Sequence, residues 1–192
     1  MRYGIWLLVG LAAMLQLQPV KAAPAQQYPA PGQLIEIGDR KLHLLCSGSA
    51  KPTVILMAGG GAFSIDWALV QPRVAMTTRV CSYDRAGLGW SEPGPADETV
   101  EQTISDLHAV LRSAGESGPY VLVGASISGI FVRAYQRAFP EEIAALVFTN
   151  SSNRSCLCLC GPDGSPRAID TNVSGLILQS YAHRRFKCRS NR

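Results

Sequence analysis

The stretch YVLVGASISGIFVRAY, from Tyr120 to Tyr135, constrains the fold of this 192-residue chain more than any other. Its first six residues, Tyr120 to Ala125, form an apolar run without alternation, the pattern of a strand covered on both faces. From Ile127 to Phe139 the apolar residues recur at helical spacing. Between the two lies a tight turn that holds Ser126 and Ser128. A buried strand running straight into an amphipathic helix belongs in a sheet flanked by helices.

The rest of the chain repeats that theme. GQLIEIGDRKLHLLCSG reads as a hairpin, with QLIEI and KLHLLC as strands about a turn at Gly38-Asp39-Arg40. TVILMAG, from Thr53 to Gly59, is a second continuous apolar run, and it ends in Gly59-Gly60-Gly61. SIDWALVQPRVA predicts a short helix interrupted near Pro72, and RVCSYD (Arg79 to Asp84) a further strand before the loop RAGLGWSEPGP. Thr99 and Gln102 fit a capping box, Val100, Ile104, Leu107 and Leu111 follow at helical spacing, and Gly115 supplies a stop. IAALVFTN, from Ile143 to Asn150, predicts one more strand. A hairpin followed by strand–helix–strand repeats predicts an α/β fold with a mostly parallel sheet, in one domain spanning residues 33–153.

The two ends read differently. MRY followed by GIWLLVGLAAML, with Val20-Lys21-Ala22 ahead of Ala23, predicts a secretory signal peptide over residues 1–22. The apolar run is shorter than the roughly 20 residues a membrane span needs, so no span is expected in the mature form. A Pro- and Ala-rich linker, 23–32, precedes the core. Export implies a secreted or periplasmic protein, where its six cysteines, all beyond residue 22, can form disulfides. Cys156, Cys158 and Cys160 lack the spacing of a structural zinc site, and no metal or other cofactor is expected. The net charge of +4 comes without a basic stripe interleaved with aromatics, which argues against nucleic acid as a partner.

A serine nucleophile in acyl transfer must stand clear at the end of the sheet, beside backbone N–H groups that stabilise an oxyanion. A sharp strand-to-helix turn does this, and needs small residues two positions either side of the serine, because the backbones crowd there. Centred on Ser126, those positions are Gly124 and Ser128; centred on Ser128, one is Ile130, which would clash. Ser126 is therefore the candidate nucleophile. Ser128 stands where the strict G-x-S-x-G pattern has glycine, and is read as a packing residue at some strain cost, or as a pocket lining.

The blocks VILMAGGGAFSIDW, RVCSYDRAGLGWSEPGP and YVLVGASISGIFVRAYQRAFPEEIAALVFTNSSN resemble, in order and spacing, three signature blocks of the α/β-hydrolase family. They are most similar to exported bacterial members with a glycine-rich loop after the third strand, and the resemblance covers residues 33–153. It implies the N-terminal portion of an α/β-hydrolase sheet and a serine hydrolase acting on a small ester or related acyl compound. It implies the backbone N–H groups of Gly60 and Ile127 as the oxyanion donors. Members often carry histidine before the glycine loop, where this chain has Ala58; a loop less firmly fixed is the expected consequence. Asp84 opens a D-x-x-G-x-G-x-S pattern whose role in the family is mainly structural. The second strand in the family runs antiparallel beside the fourth, which implies a Cys46–Cys81 disulfide.

In this family the catalytic acid and then the histidine follow the nucleophile. Some members carry the acid just after the strand at 143–150, where this chain has Asn150. His43 and His108 read as core or surface residues. His183 is the one histidine after Ser126, so the order Ser126, Asp170, His183 is formally available, with Asp163 also ahead of the histidine. No strand pattern precedes either partner. From about Arg154 the composition changes: residues 154–192 carry six Arg and one Lys against two Asp, with four of the six cysteines. That tail is expected to be a truncated or frame-shifted substitute for the family's second half. Three expectations stand side by side: a serine hydrolase with an incomplete triad, a non-catalytic binding protein on that scaffold, or the inactive product of a truncated gene.

Overall fold

Gly38 and Asp39 make a two-residue turn, with Gly38 at φ 66, a left-handed backbone that costs glycine nothing. The turn joins β1 (Gln33–Ile37) to β2 (Arg40–Ser47), and Ile37 pairs with Arg40 across it. The computed structural model describes residues 28–149 apart from Glu98. The expected signal peptide and the tail from residue 154, with Asp163, Asp170 and His183, lie outside the described residues, as does Asn150.

Four more strands complete the sheet: β3 (Thr53–Met57), β4 (Val80–Tyr83), β5 (Tyr120–Ala125) and β6 (Ile143–Thr149). The order across it is β1-β2-β4-β3-β5-β6. β2 runs antiparallel to both β1 and β4, while β4, β3, β5 and β6 are mutually parallel. The mostly parallel α/β sheet read from the sequence is the one observed.

Strand periodicity of two divides the apolar residues between two cores. Ile55, Met57, Leu122, Leu146 and Phe148 face α2 (Val100–Ser113) and α3 (Ser128–Ala138), meeting Leu107 and Leu111 from one helix and Val132 and Tyr135 from the other. Val54, Leu56, Val121, Val123 and Val147 face the opposite way, toward Val74 of α1 (Gln71–Ala75) and Trp67. Both faces are covered, which is why these strands lack a polar side.

Two local expectations need correction. Pro72 lies in the first turn of α1, where its missing N–H is no loss, so it starts a helix instead of interrupting one. Residues Ser64–Trp67 form a separate 3₁₀ turn. At the start of α2, Thr99 Oγ1 accepts from Gln102 N–H at 3.1 Å, but the Gln102 side chain donates to Asp106 Oδ1 at 2.8 Å. Only the Thr99 half of the capping box is thus seen. Asp106 also accepts from Arg40 Nη2, which ties the hairpin to α2.

Cys46 and Cys81 are register partners on β2 and β4 and are joined in a disulfide, with Cα atoms 4.1 Å apart. No helix among the described residues is long and apolar enough to cross a membrane.

Candidate active site

Ser126 is the one non-glycine among the described residues with positive φ, at 52°. Its N–H donates to Thr149 O at 3.1 Å, one rung beyond the β5–β6 ladder, while its carbonyl accepts from Gly129 N–H at 3.2 Å. The residue therefore ends a strand and begins a helix, and the left-handed backbone is what allows so sharp a change. Such a conformation costs a non-glycine residue about 1–2 kcal/mol. Gly124 is required by the same bend: a Cβ there would lie 2.7 Å from Ser128 O. The hydroxyl of Ser126 has no hydrogen-bond partner among the described residues.

The glycine loop after β3 passes over this turn. A Cβ on Gly59 would stand 3.4 Å from the Ser126 Cβ, and one on Gly60 would stand 3.7 Å from Ile127 Cγ2. Ser126, Gly60 and Ile127, nominated from the sequence, thus come together at the C-terminal ends of β3 and β5. Ile127 and Gly60 are exposed and Ser126 is half-buried.

Ser128 is the packing residue read from the sequence and not a pocket lining. It is fully buried in the first turn of α3, its Oγ donates to Ala58 O, and it accepts from Arg85 Nη1 at 3.2 Å. Arg85 also donates through Nη1 to Ala58 O at 2.7 Å and through Nη2 to Gly59 O at 2.8 Å. The loop with Ala58 in place of histidine is therefore held through its carbonyl oxygens. Sequence reasoning passed over Arg85, which follows Asp84 in the DRAGLGWS stretch.

Asp84 anchors the same region from below. Its Oδ1 accepts from Ser64 N–H at 2.6 Å, and its Oδ2 accepts from Trp90 N–H at 3.2 Å and pairs with His43 Nδ1 at 2.9 Å. Burial pushes the Asp84 carboxyl up, but the hydrogen bonds from His43, Ser64 and Trp90 outweigh it and hold the group below its ordinary value. Gly32 N–H donates to His43 Nε2 at 3.0 Å, so the other ring nitrogen carries the proton shared with Asp84. His43 is thus a core residue with both nitrogens engaged. His108 stacks on Phe139, with ring centroids 4.0 Å apart, and its Nε2 lies 3.2 Å from Glu142 Oε1. Asp170 and His183 fall outside the described residues.

Cys46, Cys81 and Glu116 have potential metal-ligand atoms within 4.8 Å of one another, but both sulfurs are in the disulfide and Glu116 is paired with Arg79. Two surface clefts, one beside Asp39 and Glu92 and one between Val100 and Arg137, do not include Ser126, Gly60 or Ile127 in their linings.

The family model described as alpha/beta hydrolase fold matches residues 52–172. Among curated proteins, Probable transporter efuK of Hormonema carpetanum is 31% identical over 127 residues, covering 62% of this chain and 18% of that protein. The 2-hydroxymuconate semialdehyde hydrolase of Pseudomonas sp. strain CF600 is 31% identical over 133 residues, covering 68% of this chain and 47% of that protein. The chain spans less than half the length of these curated relatives. Among solved structures, a thermophilic esterase from Thermogutta terrifontis superposes with a TM-score of 0.57 at 24% identity, over 63% of this chain and 45% of that one.

Proposed function

The chain belongs to the α/β-hydrolase family, and from that premise we propose that it acts as a serine hydrolase on a small ester or related acyl substrate. Ser126 is the nucleophile, and the N–H groups of Gly60 and Ile127 receive the oxyanion of the tetrahedral intermediate. The single observation that carries this is the positive φ of Ser126 under the glycine loop. Backbone strain at one non-glycine residue, in a turn that presents a hydroxyl, is the signature of a functional serine. The names of the esterase and hydrolase relatives agree with this reading.

Attack by the hydroxyl needs a base to take its proton, and the acyl-enzyme then needs water to release the acid. His43 is committed to Gly32 and Asp84, and His108 to Phe139 and Glu142. His183, with Asp170 ahead of it, is the histidine that chain order offers for the task. The disulfide and the expected signal peptide support action in an oxidising compartment, secreted or periplasmic.

A second reading, a non-catalytic binding protein on the same scaffold, is favoured by the structural commitment of both described histidines. A fluorophosphonate probe separates the two. Labelling of the full chain that disappears in Ser126→Ala and slows in His183→Ala supports the enzyme. A folded chain that stays unlabelled overturns the catalytic reading.

A further inference from the structure

One guanidinium holds two successive peptide groups of the glycine loop by their oxygens. Arg85 Nη1 donates to Ala58 O at 2.7 Å and Nη2 to Gly59 O at 2.8 Å. Among the described residues the Gly59–Gly60 bond is not one of the cis peptides and is trans. In a planar trans peptide the C=O and the N–H point in opposite directions. Fixing Gly59 O therefore fixes the direction of Gly60 N–H. We infer that Arg85, assisted by Ser128, is the positioning residue that aims the Gly60 N–H at the oxyanion; this rests on the donor role proposed above for Gly60.

The guanidinium is itself referenced to the helix that carries the nucleophile turn. Its carbon lies 5.4 Å from the ring centroid of Phe131 on α3, and Nη1 donates to Ser128 Oγ at 3.2 Å. Ser128 Oγ in turn donates to Ala58 O. Loop and helix are thus latched through one buried cluster, with Arg85 only 7% exposed. Gly60 belongs to the loop, and Ile127 is the residue preceding α3, so the latch sets the spacing of both proposed donors. Arginine suits the task because its rigid fork reaches two acceptors at once, whereas lysine offers a single point charge. Ser128 adds a bond that the glycine of the strict pattern could not make.

The test compares wild type, Arg85→Met, Arg85→Lys and Ser128→Gly as full chains. One readout is the hydrolysis of a short p-nitrophenyl ester, and the other is the ¹⁵N order parameter of the Gly60 amide. Arg85→Met is expected to lower kcat roughly 10- to 100-fold with KM unchanged, as misplacing an oxyanion donor does. Arg85→Lys should recover part of that loss, and Ser128→Gly should lose less than either. The Gly60 order parameter should fall from the rigid range, about 0.85, toward about 0.6 in Arg85→Met. A folded Arg85→Met with wild-type kcat, or with a raised KM alone, overturns the inference. Should Arg85→Met fail to fold, Arg85→Lys and Ser128→Gly are judged by the same two readouts. Should wild type neither hydrolyse the ester nor take the fluorophosphonate, the proposed function fails. The Gly60 order parameter then decides alone, and an unchanged value rejects the positioning role.

Discussion

His43 Nδ1 lies 2.9 Å from Asp84 Oδ2 with both side chains fully buried, so a histidine–carboxylate pair is present in the described residues and serves the scaffold. Its geometry gives a pH signature. The Asp84 carboxyl is held below its ordinary value, the bonds from His43, Ser64 and Trp90 outweighing burial. Stability tied to the ionised form is complete above the unfolded carboxyl value of about 3.9 and is lost as pH falls through the lower folded value. Asp84→Asn turns one acceptor into a donor facing other donors, at an expected cost of about 1–3 kcal/mol near neutrality. Urea midpoints measured across the acid range should show the gap between wild type and Asp84→Asn closing only at the acid end. A gap that stays constant down to the lowest pH would mean the charge is not the source.

The disulfide predicts a second, larger effect. Cys46 and Cys81 are 35 residues apart in sequence, and closing a loop of that size stabilises a fold by about 3–4 kcal/mol through the unfolded chain. Reduction, or the paired substitution Cys46→Ser with Cys81→Ser, should lower the urea midpoint by a matching amount, and mass spectrometry of the unreduced protein should show both thiols protected from alkylation. Free alkylation of both without reductant would refute the link.

Most of the sheet was legible because its strands are buried on both faces: TVILM and YVLVGA carry no alternation to misread. The turn at Ser126 was legible because the crowding at Gly124 and Ser128 leaves a mark at fixed spacing. The packing of Ser128 was legible too, but its bonding was not, because small size alone cannot say what a buried hydroxyl meets. Only the fold brings Ala58 O and Arg85 within its reach. Arg85 was missed for a related reason: it follows an aspartate in a loop motif, and nothing local shows that its fork turns inward to two carbonyls from another strand's end. The same holds for Arg40 and Asp106, whose pairing spans 66 positions in sequence.

Crowding at the turn yields a third expectation. A Cβ at position 124 would stand 2.7 Å from Ser128 O and 2.9 Å from Gly129 N, both backbone atoms that cannot rotate away. Gly124→Ala should therefore push α3 off β5 and destabilise the fold by about 1–3 kcal/mol, the range for overpacking. Thermal unfolding checks the stability, and the fluorophosphonate labelling rate checks the site, which should slow as Ile127 moves with the helix. An Ala variant as stable as wild type would show that the helix start has more room than these distances allow.

Strain at Ser126 gives the last expectation, and its sign is opposite to that of an ordinary core substitution. With φ at 52°, the serine backbone sits where a Cβ is penalised by about 1–2 kcal/mol and glycine is not. Ser126→Ala keeps the Cβ and so keeps the penalty, while Ser126→Gly removes it. Both variants lose the hydroxyl, so both should lose probe labelling, yet only the glycine variant should gain stability, by about 1 kcal/mol over the alanine one. In a comparison of urea midpoints of the two variants, the unfolded-chain entropy of glycine works against the predicted gain and so cannot imitate it. A glycine variant less stable than the alanine one by about 0.4–1 kcal/mol, the full unfolded-chain entropy of glycine, would mean that the turn is relaxed at Ser126.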